Sequence, residues 1–247
     1  MNTGTPVHVS LGDSIASGEG VGVAIPPPLT WPGLLAAAAT ARFVPLARGG
    51  APVATVIRDQ LPAARALAPE IACVCVGLND LFRSGGVTDR APSGIQTLVR
   101  RLRADDTLVV VGRLHDPTRL VPFPGRLGRL IRDHVAAINA GLEEFRADHG
   151  VVLLDMSALV DRPECWAVDR IHPSGFGHRV LAAAAAHRLG LAFEVGPAPT
   201  APSLASWWRW LVRHGVPWLA ARTPELITSE PLRRQAHAIA WGDASLN

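Results

Sequence analysis

The chain of 247 residues contains no lysine and no tyrosine. All 24 basic residues are therefore arginine, and they are dispersed among 21 acidic residues, with a net charge of +3. A nucleic-acid-binding surface needs clustered basic side chains, and the sequence has no such run. The composition therefore disfavours a nucleic-acid partner, and the lack of lysine excludes a phosphate-binding loop of the Gly-Lys-Ser/Thr type.

Cysteine is also scarce, with three residues in the chain. Cys73 and Cys75 lie two residues apart on one face of a predicted strand, and Cys165 is isolated. This pattern fits neither a disulfide framework nor a set of metal ligands, and no His-Glu-x-x-His segment occurs. We expect reduced thiols, no metal and no cofactor.

Long apolar runs and targeting signals are missing as well. No stretch of about 18 uncharged apolar residues occurs, as a membrane-spanning helix would need. The N-terminal residues lack the basic and apolar segments of a secretory signal peptide. The sequence therefore predicts a cytoplasmic protein, and its length and 48% apolar content predict a well-formed core.

Short apolar, β-branched runs alternate with Ala-, Leu- and Arg-rich stretches of helical spacing. The alternation predicts βαβ units and a three-layer α/β/α domain around a parallel sheet. Five strands suit the flavodoxin-like order 2-1-3-4-5. The predicted strands are 7–11, 43–46, 71–76, 107–111 and 151–154, and the predicted helices are 31–40, 53–67, 93–103, 127–148 and 174–189.

A Pro-rich stretch, 196–202, marks a change in composition and is predicted to be a linker. Residues 1–195 contain the strand and helix pattern and form the predicted catalytic domain. Residues 203–247 hold five of the seven tryptophans, and we expect short helices there, broken at 215–217 and docked on the domain. Attachment to a membrane surface is the less favoured alternative, because Trp and Arg suit an apolar–polar boundary.

Groups suited to nucleophilic catalysis follow predicted strands. Ser14 follows the first strand, and a serine hydroxyl attacks only when a base accepts its proton. His172 is the candidate base, since Asp169, three residues earlier, can hold Nδ1 and leave Nε2 for Ser14. Taken singly, Ser14 could be a helix cap and His172 a packing residue.

Acyl transfer also needs N–H donors directed at the developing oxyanion. The side chain of Asn79, a backbone amide in Gly49-Gly50 and the amide of Ser14 are the candidates. An ordinary turn and a flexible loop are the structural alternatives for Asn79 and for the glycines. Because the carboxyl ends of parallel strands share one edge of the sheet, we expect all these groups to converge there.

These segments resemble the conserved blocks of the SGNH (GDSL-type) hydrolases, a family of serine esterases and lipases. Gly-Asp-Ser-Ile at 12–15 matches the first block, with Ile where the family usually has Leu. Gly50, followed by Asp-Gln-Leu-Pro at 59–62, resembles the second, and Gly-Leu-Asn-Asp at 77–80 and Asp-x-x-His-Pro at 169–173 match two more. The resemblance covers residues 7–190.

The resemblance implies two-step hydrolysis of a small-molecule ester through an acyl-Ser14 intermediate, without a cofactor. His172 would act as general base and then as acid, Asp169 would orient it, and the Ser14 amide, Gly50 and Asn79 would form the oxyanion hole. A thioesterase or a carbohydrate O-acetyl esterase would use the same site. An alternative of another class is a non-catalytic binding or scaffold module. The Pro-containing loop 113–129 is a separate question: it could form a wall of the pocket or be a stiff connection.

Overall fold

The computed structural model describes residues 4–82, 90–123, 125–218 and 220–221. Within them the longer strands form one parallel sheet of five strands. The strands in chain order are β1 (Val7–Gly12), β2 (Glu19–Gly20), β3 (Val23–Ala24), β4 (Arg42–Pro45), β5 (Ile71–Cys75), β6 (Leu108–Arg113) and β7 (Val151–Asp155).

The sheet has the order β4-β1-β5-β6-β7, so its members lie in the predicted order 2-1-3-4-5. Each sheet strand begins and ends within two residues of its predicted bounds. The central strand β5 is buried at every residue, as expected for a strand covered on both faces. The predicted three-layer, flavodoxin-like fold is confirmed.

Helices cover the sheet in two layers, since α2 packs against α7 and α5 packs against α6. The helices are α1 (Ser14–Ser17), α2 (Trp31–Ala38), α3 (Val53–Thr55), α4 (Leu61–Ala66), α5 (Ala91–Arg103), α6 (Gly125–Leu142), α7 (Gly175–Arg188) and α8 (Leu204–Trp210). A π-helical stretch, Val56–Gln60, joins α3 to α4. All three cysteines are free thiols buried in the fold.

The sequence did not predict the β2–β3 hairpin, an antiparallel pair in which Glu19 lies opposite Ala24 and Gly20 opposite Val23. It directly follows α1, whose last turn ends at Gly18 in the left-handed conformation. The amide of Ile25 donates to the carbonyl of Gly18 at 2.8 Å and closes the hairpin against α1. The hairpin therefore lies beside Ser14.

After α7 the chain runs without regular structure from 191 to 203. Phe193 and Val195 pack against the core, and Arg179 Nε donates to the carbonyl of Val195 at 2.9 Å. The tail then forms α8 and a π-helical stretch, Leu211–Gly215. Residues 222–247, including Trp241, lie outside the described residues, and membrane attachment of the tail stays a prediction.

The predicted helix break at 215–217 is wrong. Residues 216–218 remain helical. The amide of Val216 donates to the carbonyl of Leu211, five residues earlier, so the chain passes Pro217 through a widened turn. A π-helical turn displaces the carbonyls that an ordinary helix would aim at residue 217, which has no N–H to donate. In the described part of the chain, no helix has both the length and the apolar character needed to cross a membrane.

Candidate active site

The turn after β1 places Ser14 at the carboxyl edge of the sheet. Gly12 ends β1 with φ of +130°, and a Cβ there would lie 1.8 Å from the carbonyl oxygen of Cys75. Its N–H donates to Gln60 Oε1 at 2.7 Å, and Gln60 Nε2 donates to its carbonyl at 3.0 Å. The C-terminal end of β1 is thus fixed between β5 and the buried Gln60. Ser14 follows as the first residue of α1.

Ser14, His172 and Asp169 form a continuous hydrogen-bonded series. The Nε2 atom of His172 lies 2.8 Å from Ser14 Oγ, and Nδ1 lies 2.7 Å from Asp169 Oδ2. The other carboxylate oxygen, Oδ1, accepts the amides of Ile171 at 2.9 Å and His172 at 3.0 Å. Because a carboxylate accepts only, Nδ1 carries the proton and Nε2 is left as an acceptor for the serine hydroxyl.

The loop that carries Asp169 and His172 rests on Trp166. Trp166 is 1% exposed, pairs with Pro173 in an isolated bridge, and donates from Nε1 to the carbonyl of Leu159 at 2.9 Å. The amide of Ala167 donates to the carbonyl of His172 at 2.9 Å. His172 is therefore held by its backbone as well as by its ring.

The electrostatics of the site favour a protonatable His172 beside an ionised Asp169. Burial lowers the pKa of His172, but the hydrogen bond and charge of Asp169, together with the charge of Asp13, raise it to a net value above the ordinary one. Burial raises the pKa of Asp169, yet its bonds to His172 and Ile171 outweigh burial and lower it overall. The pair is therefore arranged to stabilise an imidazolium.

A second histidine near the site, His115, is excluded as a partner of Ser14 by its surroundings. Its ring is buried against Trp166, with centroids 4.3 Å apart, and neither ring nitrogen has a hydrogen-bond partner among the described residues. Burial, with the nearby His172, lowers the pKa of His115 to about 3, so the ring is neutral. The hydrogen bond to Ser14 Oγ is made by His172 instead.

Asn79 lies beside Ser14 and is held by a neighbour that sequence reasoning left without a role. Asn79 Nδ2 donates to Asp13 Oδ2 at 3.1 Å, while Asp13 Oδ1 accepts the amide of Ile15 at 3.1 Å and caps α1. Burial raises the pKa of Asp13 to about 7, although the Ile15 amide, His172 and Asn79 oppose the shift. The motif itself, Asp-Ser before a helix, was the available signal for this cap.

The loop with Gly49 and Gly50 is tied to the Asn79 turn. Both carboxylate oxygens of Asp80 accept the amide of Val53, at 3.2 and 3.1 Å. The Gly49 amide donates to Glu19 Oε2 at 2.5 Å, whereas the Gly50 amide has no partner among the described residues. Gly50 is not among the described residues that line the cavity beside Ser14, so its oxyanion role stays a prediction.

The β2–β3 hairpin closes over the His172–Asp169 pair. A Cβ at Gly20 would lie 2.9 Å from His172 Nδ1 and 3.2 Å from Asp169 Oδ2. Glu19, next in the hairpin, accepts from Ser17 Oγ at 3.2 Å in addition to Gly49. The hairpin thus shields the ring on one side, and only a residue without a side chain fits at position 20.

A cavity of about 260 Å³ opens next to Ser14. Its polar lining is confined to the groups already described, and the rest of its wall is apolar or aromatic. The loop between β6 and α6 contributes Pro117, Val121 and Phe123 to the wall, and the first turn of α6 contributes Leu127. Among the described residues, no group of three or more His, Cys, Asp or Glu side chains could hold a metal ion.

Comparison with known proteins gives a family match. The model of the GDSL-like lipase/acylhydrolase family matches residues 10–180. A search of curated proteins finds no match.

Several solved structures share the fold. An acetylxylan esterase of Geobacillus stearothermophilus, solved as a catalytic mutant, is 18% identical with a TM-score of 0.58, over 81% of this chain and all of that one. The psychrotrophic esterase EstA of Pseudoalteromonas sp. is 14% identical with a TM-score of 0.55, over 74% of this chain and 96% of that one. A GDSL-like lipase of Bacteroides thetaiotaomicron is 14% identical with a TM-score of 0.58, over 74% and 87%.

Proposed function

Because the chain belongs to the GDSL-like lipase/acylhydrolase family and is a carboxylester hydrolase, we propose that it cleaves esters in two steps through an acyl-Ser14 intermediate. The observation that carries this mechanism is the 2.8 Å contact between Ser14 Oγ and His172 Nε2, continued by the 2.7 Å contact between Nδ1 and Asp169. A nucleophile, a base and the group that orients the base are thus already aligned.

In the first step, Nε2 of His172 takes the hydroxyl proton while Ser14 Oγ forms a bond to the carbonyl carbon of the ester. The imidazolium that results is stabilised by Asp169, whose carboxylate accepts from Nδ1. His172 then gives its proton to the alkoxide leaving group, and the alcohol departs. Water repeats the sequence on the acyl-enzyme, with His172 again as base and then as acid, and releases the carboxylic acid.

Negative charge develops on the carbonyl oxygen in both steps and needs preorganised donors. The side chain of Asn79 is the first candidate, since Asp13 fixes the orientation of its amide beside Ser14. The amide of Ser14, at the first turn of α1, has no intrahelical partner. The unpartnered amide of Gly50 is the third donor that we assign to this role.

A fluorophosphonate probe tests the nucleophile in the full chain. We expect stoichiometric labelling of the wild-type protein and none in Ser14→Ala, with p-nitrophenyl ester hydrolysis lost in parallel. Ser17→Ala is the matched control, because Ser17 lies in the same short helix but bonds to Glu19. Labelling that persists in Ser14→Ala, or that disappears in Ser17→Ala alone, would contradict the assignment.

A further inference from the structure

The tail forms part of the cavity wall beside Ser14. Trp207, Trp210, Leu211 and Trp218 line the same cavity as Ser14 and His172. These tail residues lie beyond the part of the chain that the family model matches, which ends at residue 180. This part of the cavity wall therefore lies outside the segment that the family model matches.

Specific contacts hold the tail over the site. Trp210 Nε1 donates to the carbonyl of Val21 in the β2–β3 hairpin at 2.5 Å. The ring of His214 packs on Gly22, where a Cβ would lie 2.8 Å from the ring. The guanidinium of Arg170, between Asp169 and His172, lies 5.3 Å from the ring centroid of Trp207. The tail is thus anchored to both segments that flank the catalytic histidine.

The two faces of the tail differ in their surroundings. Trp207 is 8% exposed on the inner face, and Leu211, one helical turn later, also lines the cavity. On the outer face Trp208 and Val212 are 54% and 70% exposed. The buried Gly215 packs directly behind Leu211, because a Cβ there would lie 2.9 Å from Leu211 Cδ1.

The composition of the wall defines the ligand that fits. Apart from the groups around Ser14, His172 and Asn79, the lining offers apolar and aromatic surface, so an apolar chain can be buried there without desolvating polar groups of its own. A water molecule occupies about 30 Å³ in the liquid and is close in size to a methylene group. A cavity of about 260 Å³ therefore has room for about eight groups of this size. An acetyl group would leave most of this space empty.

We propose that the tail segment 207–218 is a chain-binding wall, and that the enzyme prefers esters carrying an unbranched apolar chain of about eight carbons. This inference rests on the proposed acyl-Ser14 chemistry, since the chain must enter the cavity while the ester carbonyl lies at Ser14. We assign the chain to the acid of the ester, which stays bound to Ser14 as the acyl-enzyme between the two steps; methyl octanoate and octyl acetate distinguish this arrangement from a chain carried by the alcohol.

The test compares substitutions at two adjacent positions, Leu211, which lines the cavity, and Val212, which is exposed. Leu211→Trp fills the cavity, whereas Val212→Trp adds the same side chain to the exposed face. The substrates are p-nitrophenyl esters of acids with two to sixteen carbons. Methyl octanoate and octyl acetate are added, and their hydrolysis is measured by titration of the released acid. The last two substrates show which side of the ester enters the cavity.

We expect kcat/KM of the wild type to peak near octanoate. Leu211→Trp should lower the ratio of the octanoate value to the acetate value about 10–200-fold, as expected for apolar pocket discrimination, while Val212→Trp keeps the wild-type profile. Leu211→Ala, which enlarges the cavity, should shift the peak to longer chains and covers the case in which Leu211→Trp fails to fold.

Two outcomes separate the inference from the proposed function. Ser14-dependent hydrolysis with a peak at acetate, or a profile that neither Leu211 variant changes, overturns the chain-binding wall and leaves the mechanism standing. Absence of Ser14-dependent hydrolysis and of fluorophosphonate labelling in the folded wild-type protein overturns the mechanism itself, and the inference with it.

Discussion

Gly20 of the β2–β3 hairpin lies close to the imidazole ring of His172. The variant Gly20→Ala tests whether this close packing affects hydrolysis. Gly20 does not have positive φ, so alanine fits its backbone and the added methyl group is the main change. Its Cβ would lie 2.9 Å from Nδ1 and 3.1 Å from Cγ of His172, and 3.2 Å from Asp169 Oδ2. The ring and the hairpin must therefore move apart.

The size of the movement gives the size of the effect. Ordinary van der Waals contact begins at 3.4 Å, so the separation must grow by about 0.5 Å, and a displacement of about 1 Å at a reacting group costs about 10²-fold in rate. We therefore expect kcat to fall about 10-fold, the square root of that loss. Since Asp169 raises the pKa of His172, a loosened pair should also move the acidic limb of the pH profile to lower pH.

The assay is steady-state hydrolysis of one p-nitrophenyl ester over a range of pH, with unfolding curves recorded for every variant. Gly175→Ala is the matched control. Gly175 is only three residues from His172, but its added Cβ would lie 4.0 Å from the nearest atom, Ile25 Cδ1. If Gly20→Ala keeps the wild-type kcat and pH profile, the hairpin does not confine the ring. An equal loss in Gly175→Ala would show that the effect is not specific to the contact.

Three further predictions concern the base, the oxyanion donor and the end of β1. His172 must be neutral to accept a proton, and its pKa is raised. We therefore expect kcat/KM to fall as the pH decreases, with a midpoint above the pKa of a free imidazole, about 6.5. A midpoint below that pKa would contradict the pairing of His172 with Asp169. Asn79→Ala should lower kcat by about 10²–10³ with little change in KM; a rise in KM at unchanged kcat would contradict the oxyanion role. Gln60→Met leaves the buried N–H of Gly12 unpaired and should cost about 1–3 kcal/mol of unfolding free energy in urea denaturation, whereas an unchanged midpoint would show that the bond is dispensable.

The fold could be predicted because its signals are local. Each apolar run encodes a strand, and alternation with helices fixes a parallel sheet whose strand ends share one edge. The same topology explains why Ser14 and His172, 158 residues apart, meet at 2.8 Å. Ser14 was nominated by its position after β1, and His172 by the spacing to Asp169.

The features that were missed depend on pairing between distant residues. The β2–β3 hairpin has strands of two residues, too short to produce a period in the sequence. Gln60 reaches Gly12 across 48 residues from a π-helical stretch whose irregular turn no helical pattern encodes. Continuation of the tail helix past 215–217 likewise depends on a widened turn that local propensity for Gly and Pro does not reveal.

The irregular segment 191–203 connects the last helix of the hydrolase fold to the tail. Ser14, Asn79 and His172 all precede this segment, and the inner face of the tail follows it. A proteolytic cut there, or recombination with a different C-terminal sequence, would exchange the chain-binding wall and leave the hydrolytic groups in place. In this protein, selectivity for an ester and the power to cleave it can therefore evolve separately.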